Sequence, residues 1–255
     1  MSDAPLAGLG VVVTRPRRAA EALAAKLTAA GAATWIFPAL EIEELPRDAA
    51  LDETLRGIAA FHLAIFVSAN AVEKGLEAVR RVAAWPAGLR VAAVGEATAE
   101  ALRNSGLGPV ISPSQRHDSE ALLALPQLHD VRGQNIIVFR GEGGRERLRE
   151  GLEERGASVV YAQCYRRVRP KTDPAALLAA LARGQVHAVS ALSGETLENF
   201  VAMIGPVGAA RLAAATLVVP HEAVARHRDA RRFGRVQVAP SDGLIEALAQ
   251  IRITP

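Results

Sequence analysis

The sequence predicts two similar doubly wound α/β domains, each a parallel sheet covered by helices. Three observations carry this expectation: a repeat across the chain, short runs apolar on both faces, and amphipathic stretches between them. In the repeat, residues 10–31 read GVVVTRPRRAAEALAAKLTAAG and residues 135–156 read NIIVFRGEGGRERLREGLEERG. The constant offset from Arg15 to Arg140 also pairs Glu21 with Glu146, Leu23 with Leu148, Leu27 with Leu152 and Gly31-Ala32 with Gly156-Ala157. It continues to His62 with His187 and Ser68 with Ser193. Solenoid units span about 20–45 residues, so a period this long indicates two domains.

The strand expectations follow in order. Residues 11–14, 63–67, 91–94, 136–139, 188–191 and 217–219 are short and largely apolar, as strands buried on both faces of a parallel sheet should be. Helical stripes lie between them: Ala20, Leu23, Leu27 and Ala30; then Leu148 and Leu152; then Leu244, Leu248 and Ile251. Gly31 and Gly156 stand where helix ends favour a left-handed residue. Asp173-Pro174 has the order of an N-cap followed by a first-turn proline. Residues 37–45 (FPALEIEEL) and 162–170 (AQCYRRVRP) break the pattern at equivalent places. Each is extended and partly polar, which suits two crossovers lying side by side as a short ladder.

Composition narrows the function. At 255 residues the chain can build two cores. Half of it is apolar and only 4% aromatic, favouring helix-rich α/β over a β-sandwich. A net charge of +3 suits an anionic small molecule and is too weak to indicate nucleic acid. Cys164 is the only cysteine, which excludes an internal disulfide or a cysteine-based metal cluster. With no signal-peptide pattern at the N-terminus and no apolar run of about 18 residues, a cytoplasmic protein off the membrane is expected.

An ordered set of motifs resembles the uroporphyrinogen-III synthase family: Thr14-Arg15-Pro16, FPALEI at 37–42, VSANAV at 67–72, VGEATAEAL at 94–102, DSEALL at 118–123 and YRR at 165–167. The resemblance implies interleaved domains, 1–37 plus 171–255 and 46–161, with 38–45 and 162–170 as a two-stranded antiparallel linker. It also implies hydroxymethylbilane as substrate, held between the lobes, and no metal or organic cofactor. The implied reaction expels a hydroxyl, forms an azafulvene cation and recloses through a spiro intermediate that inverts ring D. A monomer is expected, with possible transient contact with the preceding deaminase, which would protect an unstable substrate.

That substrate is a polycarboxylate, and helix N-termini offer unpaired N–H groups at the carboxyl edge of such a sheet. The candidate substrate-binding residues are therefore Arg15, Ser68, Asn70, Gly95, Glu96, Thr98, Arg140, Gly141, Gly143, Ser193, Gly194, Pro220, His221 and Glu222. Each has a plain alternative. Ser68, Asn70 and Ser193 suit helix caps, Gly141, Gly143 and Gly144 a tight turn, and His221 an exposed helix start. At His221-Glu222 the family often carries hydroxyls, so a hydroxyl role is not carried over. Arg145, Arg147 and Arg149 read as a solvated helix face, and Cys164 as a structural or incidental thiol. The resemblance places Tyr165 on a cleft-facing tyrosine of the second crossover, where a phenol could protonate the departing hydroxyl. The alternative is a ring packed at the domain joint with its hydroxyl on water. Two rival classes share the fold pattern: a bilobed binding or sensor protein, and a transferase with a nucleotide site. The glycine-rich loop lacks the lysine or ribose-binding acid of the latter.

Overall fold

The computed structural model describes residues 4–114, 118–144 and 146–251. In chain order the first elements are β1 (Gly10–Val13), α1 (Arg17–Ala29), β2 (Ala33–Ile36), β3 (Glu41–Glu44), α2 (Ala49–Arg56), β4 (Leu63–Phe66) and α3 (Ala69–Val82). Next come β5 (Arg90–Ala93), α4 (Glu96–Asn104), β6 (Val110–Ile111), α5 (Ser119–Leu123), β7 (Asn135–Gly141), α6 (Arg147–Glu153) and β8 (Ser158–Val168). The last are α7 (Ala175–Ala182), β9 (Ala188–Ser190), α8 (Gly194–Ala209), β10 (Thr216–Val219), α9 (Glu222–Ala225), β11 (Arg235–Val238) and α10 (Leu244–Ala249).

The chain forms two units, residues up to Glu41 with those from Val168 onward, and Ile42–Arg167. The segments expected as linkers are thus divided: 38–41 and 168–170 fall in the first unit, 42–45 and 162–167 in the second. The first unit has the strand order β2-β1-β9-β10-β11, the second β8-β7-β4-β5-β6 with β3 outside β8. The strands of each five-stranded run pair in parallel. Counted from the strand that opens each repeat, both runs follow the order 2-1-3-4-5, a doubly wound arrangement. The winding reverses between β1 and β9 in one unit and between β7 and β4 in the other.

Alternation along the strands explains why they read as continuous apolar runs. Ile137 and Phe139 pack on one face of their sheet, while Ile136 and Val138 pack on the other. Val12 and Val11 divide between faces in the same way. Helices cover both faces, so neither set of side chains meets water. The helix ends match the sequence, with Gly31 at φ 97° and Gly156 at φ 83°. Asp173 caps as its carboxylate accepts from Ala175 N at 2.9 Å. Pro174 occupies the N-cap position itself, one residue earlier than expected, because the carboxylate takes the first N–H that follows the proline.

The two repeats share one device at the amino edge of their sheets. His187 Nδ1 accepts from Gly10 N at 2.8 Å, and His62 Nδ1 accepts from Asn135 N at 3.0 Å. Gly10 and Asn135 are themselves related by the repeat offset. Burial lowers the His187 pKa below its ordinary value of 6.5. The unfolded chain therefore binds the proton more readily, so this contribution to stability is complete above about pH 6.5 and is lost as pH falls below that value through the lowered pKa of the folded chain. An Asn at 187 keeps an acceptor near Nδ1 but cannot titrate. His187→Asn is expected to flatten the fall in urea stability between pH 7.5 and 5; an unchanged slope would reject the assignment.

Strand β8 differs from the expected short strand followed by a separate crossover. It runs unbroken for 11 residues, and its second half forms the sheet beside β3. Arg166 ties the two strands through Glu43 at 2.9 Å. The pairing with β7 matches Arg140 to Gln163 and Gly141 to Tyr165, leaving Cys164 as an extra residue. This bulge turns Tyr165 to the face already occupied by Ala162 and Cys164, whereas Tyr161 packs on the opposite face.

Candidate functional site

In doubly wound sheets ligands bind outside the carboxyl ends of the strands, where the winding reverses. In the Ile42–Arg167 unit that place holds an open hollow of about 290 Å³. Val67 and Val94 follow β4 and β5 into it, Arg140 and Gly141 end β7, and Gly143 and Gly144 form its turn. Arg140 is buried at 6% exposure. Its guanidinium donates to Gly143 O and to Glu146 Oε1 at 3.3 Å, which fixes the glycine-rich turn. Gly143 and Gly144 have φ of 71° and 100°, so the turn needs residues tolerant of left-handed backbone. Arg145 lies outside the described residues.

Arg140 also lies over the Tyr161 ring, 4.3 Å from its centroid, with Arg149 over the same ring at 3.8 Å. Such cation–π contacts contribute about 0.5–2 kcal/mol each. The Tyr161 hydroxyl is buried and interacts with the Glu146 carboxylate. Its pKa is raised chiefly by that burial, with the Glu146 carboxylate adding and the two arginines opposing.

Tyr165 is 1% exposed, its ring among the core residues of its unit and its hydroxyl 2.9 Å from Ser68 Oγ. The ring expected from the resemblance at the second crossover is buried, since the bulge at Cys164 carries it into the core. Its hydroxyl meets serine instead of water. Gly141 makes this possible: a Cβ there would stand 2.8 Å from the ring. Gly141→Ala is expected to cost about 1–3 kcal/mol by overpacking, measured by urea unfolding; wild-type stability would contradict the close packing. Burial pushes the Cys164 thiol up to about 12, which leaves it protonated and unreactive.

The remaining candidates divide clearly. Ser68 Oγ accepts from Ala71 N at 3.1 Å and Ser193 Oγ from Thr196 N at 3.2 Å, so both serines cap their helices. Asn70 stands half-buried in the first turn of α3. Gly95 is the N-cap of α4, and Glu96 is exposed and bonded to Arg103 at 2.8 Å. Thr98 is only 5% exposed, so its hydroxyl is not presented at the turn. In the other unit Arg15 and Pro220 share a small recess with Ser190. Arg15 Nε is buried without a hydrogen bond, and burial lowers the guanidinium pKa. Ser193, Gly194, His221 and Glu222 lie outside that recess. Gly194 abuts His227, His221 precedes α9 exposed, and Glu222 reaches Arg226 at 3.9 Å.

Sequence reasoning missed Tyr161; Arg147 is exposed, as a solvated helix face requires, and it also borders the hollow. Tyr161 carried no signal of its own, because its partners are set by the turn of β7 and by α6. Arg147 had one, since it opens the helix that follows the glycine-rich turn.

Repeated doubly wound units with a basic, glycine-rich turn at a carboxyl-edge switch point define a class: an α/β protein with a small-molecule site at its strand ends. A family model described as uroporphyrinogen-III synthase HemD matches residues 21–248. The chain belongs to the uroporphyrinogen-III synthase family, cyclising lyases of haem biosynthesis. The uroporphyrinogen-III synthase of Salmonella typhimurium is 36% identical over 171 residues, covering 66% of this chain and 68% of its own. That of Synechococcus elongatus is 31% identical over 266 residues and covers 98% of each. The solved structure of a mutant uroporphyrinogen III synthase from Thermus thermophilus shares the fold, with a TM-score of 0.60 at 23% identity over 93% of this chain and 96% of that one. Among the described residues no helix is long and apolar enough to cross a membrane.

Proposed function

We propose that the chain closes hydroxymethylbilane into uroporphyrinogen III, with loss of water and inversion of ring D. The reading is carried by the Arg140 turn at the switch point of β7 and β4, where charge and backbone donors meet an open hollow. Arg15 holds the equivalent strand exit in the other unit. Both arginines, with the N–H groups after Ser68, Gly95, Ser193 and Pro220, are assigned to substrate carboxylates. The electrons that expel the hydroxyl come from pyrrole nitrogen, so the protein has to orient the bilane, assist hydroxide departure and exclude stray water. That chemistry calls for no metal or organic cofactor.

Tyr165 is assigned to hydroxide departure through Ser68. The phenol is protonated at neutral pH and its hydroxyl touches the serine, which stands half-buried at the carboxyl edge of β4. A proton given up by Ser68 to the leaving hydroxyl is replaced from Tyr165. Segments 38–45 and 162–170 are assigned as the two-stranded antiparallel linker that carries the chain from one unit to the other. The protein works as a monomer in the cytoplasm, in transient contact with the deaminase that makes its unstable substrate.

Supplying fresh hydroxymethylbilane and separating the product isomers tests the reaction. Isomer III with the protein, against isomer I without it, is the expected result. Isomer I in both would reject the reading.

A further inference from the structure

The strands of the first unit begin at the edge opposite its recess, and that amino edge is basic. Helices α1, α7 and α8 run back to it, with Lys26, Arg183 and Arg211 at their ends. Arg231 and Arg232 close the segment before β11, and Arg235 is the first residue of that strand. All six side chains are exposed. Strands β9, β10 and β11 are neighbours, and neighbouring strands stand about 4.8 Å apart, so Arg183, Arg211 and Arg235 form a row. Gly234 draws the last two segments together, since a Cβ there would collide with Ala213 O.

Acids of this unit sort the other way. Glu195, Glu198, Glu222, Asp242 and Glu246 stand at or near the openings of α8, α9 and α10, on the carboxyl side. Asp229, the acid within the basic run, is buried and taken by Arg232 at 2.8 Å. Among the described residues Lys26, Arg211, Arg231 and Arg235 form no ion pair. Cations at helix ends offset the macrodipole, which accounts for Lys26, Arg183 and Arg211. It does not account for Arg231 and Arg235, which lie outside any α-helix. Val207, one turn before Arg211, is 71% exposed, the most open large apolar side chain among the described residues.

Arginines around an open apolar point match the composition of protein interfaces. Guanidinium groups pair in bidentate fashion with carboxylates. Nucleic acid fits less well, because Phe233, the aromatic ring of the run, is buried and gives bases nothing to stack on. We infer that the amino edge of the first unit is a docking surface for a protein partner presenting clustered carboxylates. The surface is independent of the reaction proposed above. A partner held there leaves the carboxyl ends of the same strands open, so docking and substrate binding can coincide.

Anisotropy of a labelled glutamate-rich peptide, titrated with the full chain, tests this. Saturable binding is expected, weakened by salt as exposed charges are screened. Replacing Arg211, Arg231 and Arg235 together by Gln should weaken it about tenfold or more. All three are exposed, so the variant keeps its fold, which thermal unfolding checks. Replacing Arg17, Arg18 and Arg226 by Gln removes the same charge elsewhere on the unit and should leave binding unchanged. Single-stranded DNA of matched charge and vesicles of anionic lipid serve as comparison ligands. No saturable binding of the peptide, equal weakening by the two sets of changes, or tighter binding of the DNA or the vesicles would each overturn the docking surface. A chain that makes isomer III yet ignores the peptide loses only this surface.

Discussion

Replacing Tyr165 by Phe is expected to lower kcat about 10- to 100-fold, the low end of general acid contributions, with KM and unfolding nearly unchanged. The ring is buried among core side chains, and Phe keeps its volume there. Only the hydroxyl is lost, and its partner is Ser68 Oγ at 2.9 Å. Ser68 retains its cap on Ala71 N in the variant, so no buried donor is stranded and the fold has little to lose. If the phenol replenishes the serine proton, Ser68→Ala should lower kcat by a similar factor. It should also cost about 1 kcal/mol of stability as the cap is removed. The double variant should then be no slower than the slower single one, as for two members of one relay. Wild-type turnover in Tyr165→Phe, with folding intact, would remove the residue from the chemistry.

Arg140→Met is expected to lower kcat/KM about tenfold or more and to cost about 1.5–3 kcal/mol of stability, as loss of charge-assisted hydrogen bonds does. The side chain is buried, its bond to Gly143 O is lost, and the Tyr161 ring loses one of its two cations. Its pairing with Glu146 adds little, because that carboxylate is half exposed. Arg140→Lys should not rescue either property, since an ammonium lacks the planar fork that spans the turn while stacking on the ring. Steady-state kinetics with urea unfolding decide it. Full activity in the Lys variant would reduce Arg140 to a point charge.

Most of the architecture was legible because burial writes itself into the strands. The runs at 63–67, 136–139 and 217–219 are apolar on both faces, and the offset from Arg15 to Arg140 exposed the second unit. The edge strands were harder. β2 and β11 are half exposed and mix polar with apolar residues, and β6 has only two residues. The site was less legible than the fold. Arg140 stood out at a strand exit, but its grip on Gly143 depends on a turn that the sequence marks only by its glycines. Tyr165 was singled out by resemblance, yet its burial follows from a one-residue bulge at Cys164. A period-2 reading puts residues 161 and 165 on the same face, and the bulge separates them.

The sheet of the first unit sets β1 between β2, from the same end of the chain, and β9, from far downstream. On the ribosome, residues up to Glu41 emerge first, yet their neighbour Val189 arrives only after all of Ile42–Arg167 has been made. At about 5–20 residues per second that delay is on the order of ten seconds. The inserted unit has every strand it needs as soon as β8 is out, so it can mature early. The β1–α1–β2 segment meanwhile stays half-paired until β9 is made. A chain cut after β8 would therefore strand β1 and β2 and spare the Ile42–Arg167 unit.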